Sequence, residues 1–245
     1  MDKDVRKLKF RIADWIKMKV KESGASGAVV GLSGGIDSSV VAALAKEALG
    51  ENVLGVIIPC HSREEDAEHA RMVAEKFGIE CECVDIGPVY DRLIGSLPAT
   101  GGIAPANVKP RLRMVTLYYF ANMRNYLVLG TDNKAELMTG YFTKYGDGGV
   151  DLLPIASLYK REVREMATVL GVPDEIIKKP PSAGLWEGQT DEGEMGITYD
   201  ELDSILHDIE SGNLKSSDPS KLKKVREMIN RSEHKRRLPD IFTVG

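Results

Sequence analysis

The chain has 245 residues, enough for one large α/β domain with a substantial core. A net charge of −4 argues against a nucleic-acid-binding surface. Three cysteines are too few for a disulfide framework, and no stretch approaches the roughly 18 apolar residues of a membrane span, so a reducing, cytoplasmic setting with no membrane partner is expected.

Residues 4 to 22 carry apolar residues at helical spacing between lysines and arginines, which predicts an amphipathic helix ended by Ser23-Gly24-Ala25-Ser26-Gly27. Ala28 to Leu32 reads as a short apolar strand and Ser38 to Leu49 as a helix stopped by Gly50. Asn52 to Ile58 has the continuous apolar character of a strand buried on both faces. Ser62-Arg63-Glu64-Glu65 has capping-box spacing and opens a helix that ends near Phe77-Gly78. Glu80 to Ile86 is the next strand, with Cys81 and Cys83 expected on one face as core packing.

Leu97 to Pro110 is rich in Pro and Gly and reads as a loop; Arg111 to Asn122 follows as a helix and Tyr126 to Leu129 as a strand. Leu152 to Ile155 is the fifth expected strand, before a helix from about Leu158 to Leu170. Tyr141 to Val150 (YFTKYGDGGV) and Lys179 to Ile197 (KPPSAGLWEGQTDEGEMGI) are long irregular stretches of the kind used as lids or binding loops. Thr198 to Arg237 returns to helix, opened by the capping box Thr198-Tyr199-Asp200-Glu201.

Strands alternating with helices predict a parallel five-stranded sheet with helices on both faces, a Rossmann-like three-layer α/β fold. Ligands of such folds bind at the carboxyl ends of the strands, which singles out the loops 33–38, 59–62, 86–90, 130–136 and 155–160.

The first of these loops is unusual. Ser33-Gly34-Gly35-Ile36-Asp37-Ser38-Ser39 follows a strand and opens a helix, yet it lacks the lysine of a Walker A loop. Its glycines let backbone approach an anion, and the helix N-terminus offers free N–H donors. Asp37 would repel a bare phosphate but suits Mg²⁺ bridging it to one. The loop therefore reads as a pyrophosphate cradle with its own metal ligand. It resembles the PP-loop of the ATP pyrophosphatases, which split ATP between its α and β phosphates and adenylylate a substrate oxygen.

Four further stretches narrow the resemblance: NVKPRLRM (107–114), GTDNKAELMTGYFTKYGDGGVDLLPI (130–155), KPPSAGLWEGQTDEGEMGITYDELD (179–203) and EHKRRLP (233–239). With the PP-loop they are similar to the NAD synthetase family from about residue 30 onward. The resemblance implies an adenine nucleotide alpha hydrolase-like fold over residues 1–245, with a core at about 4–175 and C-terminal loop and helices at about 176–245. It implies ATP-dependent amidation of deamido-NAD (nicotinic acid adenine dinucleotide) to NAD through a deamido-NAD adenylate, releasing AMP and pyrophosphate.

By the same resemblance ATP contacts Gly31, Leu32, Ser33, Gly34, Gly35, Ile36, Asp37, Ser38, Thr131, Lys160 and Ser182, the last where many relatives carry threonine. Mg²⁺ is held by Asp37 and Glu136. Deamido-NAD is bound by Arg111, Lys144, Asp151, His234 and Lys235. Lys160 is the cation of phosphate chemistry, and Asp147 orients or deprotonates ammonia. Taken alone, Lys160 reads as a surface lysine and Glu136 as an ordinary helix glutamate. Pro110 stands where alanine is common. No glutaminase arrangement precedes the PP-loop, so ammonia is the expected nitrogen donor, free or delivered by a separate partner glutaminase. A homodimer is implied, with Arg111 to Tyr119 as candidate interface helix. The readings left open are another PP-loop adenylating amidotransferase, a tRNA-thiolating relative, or a non-catalytic ATP-binding regulator.

Overall fold

A computed structural model describes residues 4–186, 188–214 and 217–244. The N-terminal helix α1 (Val5–Glu22) is capped by the Asp4 side chain and leads into β1 (Gly27–Gly31). Then come α2 (Ile36–Leu49), β2 (Val53–Ile57), α3 (Glu64–Phe77), β3 (Glu80–Cys83) and α4 (Gly87–Ile94). A one-turn α5 (Ile103–Ala106) precedes α6 (Val108–Arg124), β4 (Tyr126–Leu129), α7 (Lys134–Thr139) and α8 (Lys160–Leu170). The chain closes with α9 (Asp174–Lys178), α10 (Asp191–Met195), α11 (Tyr199–Ser211), α12 (Pro219–Arg231) and a 3₁₀ turn at Glu233–Lys235.

All strand pairs are parallel, in the order β3-β2-β1-β4. One sheet face is covered by α1, α2, α3 and α8 over a core that includes Ile16, Val30, Leu44, Ile155 and Met166. The other is covered by α4 and α6 over Val29, Leu54, Val56 and Phe120. A third cluster joins α11 and α12 to α7 through Tyr199, Leu202, Leu206 and Val225. Chain order reverses at β1, which is flanked by β2 on one side and β4 on the other. The crevice at the carboxyl ends of β1 and β4 is therefore the switch point where such sheets bind ligands.

Among the described residues the sheet has four strands, where five were expected. Leu152 to Ile155 pairs with β4 only through an isolated bridge between Leu129 and Leu152. Gly130 N–H donates to Leu152 O at 2.8 Å, but Pro154 has no N–H to extend the ladder, and the chain turns away. Ser62 does not cap α3: its Oγ accepts from Cys60 N–H and from the Arg113 guanidinium, and Arg63 takes the N-cap position without a side-chain bond. Cys81 and Cys83 are exposed rather than packed in the core, because β3 is the end strand of the sheet and all four of its residues are exposed. The stretch expected as loop from 97 to 110 contains α5 and the start of α6; Pro110 sits in the first turn of α6, where no intrahelical N–H is required. The segment 86–90 forms the start of α4 and does not reach the switch-point cavity.

Candidate active site

A cavity of about 1550 Å³ opens at the carboxyl ends of the strands, deeper than one nucleotide needs. Its floor is the loop between β1 and α2. Gly35 is the extended N-cap of α2, so the helix begins at Ile36 and carries Asp37 in its first turn, two residues ahead of the expected start. The serines brace the loop: the Ser33 and Ser38 hydroxyls lie 3.0 Å apart, and Ser38 and Ser39 both donate to Gly35 O. Gly34 has φ +75°, and a Cβ there would lie 2.2 Å from Asp66 O of α3. It faces away from the cavity and lets the loop dock on α3. Gly31, Leu32, Ser33, Gly35, Ile36, Asp37 and Ser38 line the cavity itself.

Three elements converge over this floor. Lys160, 1% exposed at the start of α8, donates to Asp37 Oδ2 at 2.5 Å and to Glu136 Oε1 at 3.3 Å. Asn133 Nδ2 donates to the other Asp37 oxygen at 3.2 Å. Asn133 and Glu136 are also the capping box of α7, each side chain bonding the other's backbone N–H at 3.1 Å, so the cap fixes where the Glu136 carboxylate points. The Tyr199 hydroxyl on α11 shares its one proton between Glu136 Oε1 at 2.8 Å and Asp191 Oδ2 at 3.1 Å, and its ring lies 4.6 Å from Lys160 Nζ. The Tyr141 hydroxyl lies likewise between Asp191 and Glu194. Burial pushes the Glu136 carboxyl up to about 7 against the pull of Lys160. Burial alone would lower the Lys160 ammonium, but Asp37 and Glu136 outweigh it and hold the group above its ordinary range.

Asp37 and Glu136 offer hard carboxylate oxygens on the cavity wall. Among the described residues no cluster of three ligating side chains forms a metal cage. That combination fits Mg²⁺, which takes one or two carboxylates and completes its shell with substrate phosphates and water. Thr131 lines the same wall, as does Ser182, whose hydroxyl donates to Gln189 O and accepts from Gly184 N–H.

Another part of the lining is cationic. Lys144 Nζ donates to His234 O at 2.6 Å, Lys235 Nζ to the carbonyls of Gly140 and Phe142 at 2.7 Å, and Arg111 to the carbonyls of Asn107 and Lys144. Among the described residues none of these three cations is paired with a carboxylate in an ion pair, and all line the cavity, as does His234. Asp147 also lines the cavity and accepts from Thr143 N–H at 2.9 Å. Asp151 lies outside the cavity, its oxygens accepting from Val128 N–H at 2.8 Å and the Tyr118 hydroxyl at 2.9 Å.

Sequence reasoning missed Tyr199, Asp191, Asn133 and Asp132. The Asn133-x-x-Glu136 capping box is a readable signal for the third; the two partners on α10 and α11 have none, since they arrive by tertiary docking.

The family model described as NAD synthase matches residues 9–239. The chain is 50% identical over 232 residues to the NH(3)-dependent NAD(+) synthetase of Finegoldia magna, covering 94% of this chain and 93% of that one. Among solved structures, an NMN synthetase from Francisella tularensis superposes with a TM-score of 0.92 at 38% identity, covering 99% of this chain and 100% of that one. An NH3-dependent NAD synthetase from Campylobacter jejuni, in complex with the nitrate ion, gives 0.87 at 33% identity, covering 98% and 100%.

Proposed function

This chain belongs to the NAD synthase family, and we propose that it amidates deamido-NAD to NAD with ammonia at the expense of ATP, releasing AMP and pyrophosphate. The observation that carries the reading is one cavity lined by two groups of charged side chains. One holds the PP-loop with Asp37, Lys160 and Glu136; the other holds Arg111, Lys144 and Lys235, three cations that among the described residues bond carbonyl oxygens and pair with no carboxylate. Such cations call for an anionic ligand, and a dinucleotide diphosphate carrying a carboxylate is one of the right length and charge.

The PP-loop N–H groups at the start of α2, with the Ser33 and Ser38 hydroxyls, hold the departing pyrophosphate. Lys160 neutralises charge as the nicotinate carboxylate displaces it from the α phosphorus. Asp37 and Glu136 hold Mg²⁺, which supplies charge neutralisation on the phosphates when bound. Thr131 and Ser182 contact ATP, and His234 joins the cationic wall. Asp147 faces the acyl carbon where ammonia attacks. Asp151 contacts deamido-NAD through the lone pairs that Val128 N–H and the Tyr118 hydroxyl leave free on its oxygens.

The whole chain acts as one synthetase domain in this reading. Val115, Tyr119 and Met123 stand 59%, 66% and 58% exposed at four-residue spacing along α6, an apolar stripe that fits a homodimer interface. The three free cysteines fit a reducing, cytoplasmic setting. Among the described residues no helix is long and apolar enough to cross a membrane. A partner glutaminase would supply ammonia without altering the site.

The test is to mix the protein with ATP, Mg²⁺, ammonium and deamido-NAD and to quantify NAD, AMP and pyrophosphate. All three in equal amounts are expected. The likeness to an NMN synthetase favours one second reading, the mononucleotide as acceptor. A higher kcat/KM for nicotinic acid mononucleotide than for deamido-NAD would install it, and no AMP with either acceptor would sink both.

A further inference from the structure

Two buried carboxylate oxygens accept no hydrogen bond among the described residues, Asp132 Oδ2 and Asp203 Oδ1. Asp132 lines the cavity, where a ligand reaches it; Asp203 does not. Asp203 is 2% exposed in the second turn of α11, and the scheme above does not use it. A carboxylate buried with one oxygen unsatisfied costs free energy, and the contact that offsets the cost is made by its other oxygen.

That contact is with the start of α8. Asp203 Oδ2 accepts from Arg161 N–H at 3.2 Å, across 42 residues of chain. Lys160 and Arg161 open α8, so their N–H groups have no acceptor within the helix. The N-cap residue Tyr159 has no short polar side chain to turn inward, and its hydroxyl donates to Glu210 at 2.9 Å. A carboxylate supplied by α11 answers both the free donor and the partial positive charge of the helix N-terminus. Burial pushes the Asp203 carboxyl up, and the N–H groups of Arg161 and Lys160 pull against it.

The same helix also meets the other end of Lys160. Tyr199 and Asp203 stand one turn apart on one face of α11. The Tyr199 ring lies 4.6 Å from Lys160 Nζ, and its hydroxyl reaches Glu136. One helix face therefore holds the lysine twice, by its ammonium and by the backbone turn that carries it. Arg164 and Asp200 join α8 to α11 at 3.2 Å as well, so the docking of the two helices has support besides Asp203.

We propose that Asp203 is a positioning residue for the adenylylation step: it fixes the first turn of α8 so that Lys160 Nζ meets Asp37 and the phosphate it neutralises. The inference rests on the amidation reading above. Asp203 touches no substrate and acts through Lys160. A lysine acts at the end of a long flexible stem, so its root has to be fixed for its ammonium to be placed. A displacement of about 1 Å at a group that acts on the reacting centre can cost about a hundredfold in rate.

The experiment compares the unmodified protein with Asp203→Leu, which has no acceptor, and Asp203→Asn, which keeps one. Asp203→Leu should lower kcat for AMP release about tenfold or more, with the KM for deamido-NAD within about twofold. Asp203→Asn should keep kcat within about threefold, because its carbonyl oxygen still accepts from Arg161 N–H. A merely structural role lowers the melting temperature and leaves kcat per folded molecule unchanged, and that result overturns the proposal. An Asn variant as slow as the Leu variant overturns it too, as does a rise in KM equal to the fall in kcat. Should Asp203→Leu fail to fold, Asp203→Glu, which carries its carboxylate one methylene too far, takes its place with the same expectations. No AMP from the unmodified protein with either acceptor is the failure of the amidation reading instead. Amide hydrogen exchange then still reads the contact: the Arg161 N–H should exchange slowly in the unmodified protein and faster in the variant, and equal exchange overturns the proposal.

Discussion

At the scale of single residues, the site is a buried cation held between two carboxylates, and each member has a separable effect. Asp37→Ala should lower AMP and pyrophosphate release by about a hundredfold or more, as removal of one preorganised electrostatic group does, with far-UV circular dichroism unchanged. Lys160→Met strands Asp37 and Glu136 without their shared partner. Urea titration of the metal-free protein should show a loss of about 3–5 kcal/mol, and turnover should fall well beyond any change in dinucleotide binding. The pH dependence follows from Glu136. Its carboxyl is raised from 4.5 to about 7 in the fold, so between those values the native state holds a proton that the unfolded chain releases. That contribution to stability is complete below pH 4.5 and is lost as pH rises towards 7. Metal-free protein should be less stable at pH 7 than at pH 5 in urea melts, and Glu136→Gln should flatten the difference.

At the scale of elements, the loop between β1 and α2 carries the largest constraint. Gly34→Ala is strained twice, by its positive φ and by the contact with Asp66 O. A loss of more than about 2 kcal/mol is expected, read as a lower melting temperature, with weaker ATP binding because the loop lifts from α3. On α6, Tyr119→Lys or Met123→Asp places a charge in the exposed apolar stripe. Sedimentation should then show a shift from dimer to monomer, while a protein that sediments as a monomer before mutation refutes the interface. The element boundaries also show where local reading works. The Thr198 box forms as spaced, with Glu201 N–H to Thr198 Oγ1 at 3.3 Å and Thr198 N–H to Glu201 Oε2 at 3.2 Å. The Ser62 box has the same spacing and does not form, because Arg113 from a distant helix takes the serine hydroxyl.

At the scale of the whole molecule, the sheet order puts the crevice at β1 and β4, and the C-terminal helices close one side of it. Tyr199 reaches Glu136 across 63 residues of chain, and Lys160 reaches Asp37 across 123. Arg236 donates to Met138 O at 2.7 Å and Lys235 to Gly140 O, so the last turn of the chain holds the loop after α7 in place. The segment 233–237 is thus part of the site's scaffold as well as its cationic wall, and its removal should cost both dinucleotide binding and thermal stability.

By itself the sequence determined the alternation of strands and helices, the PP-loop with Asp37 in it, and the family. These are local properties: apolar period, glycine geometry and the spacing of polar residues along one backbone segment. Only the tertiary structure decided that Leu152 to Ile155 contributes a bridge and no strand, that Cys81 and Cys83 lie exposed on an edge, and that Asp151 accepts from Val128 N–H and the Tyr118 hydroxyl. It alone shows Lys160 buried between two acids, and Asp132 with an oxygen that no described residue satisfies. Partnership and burial depend on which distant segments share a volume, and no spacing along the chain carries that information.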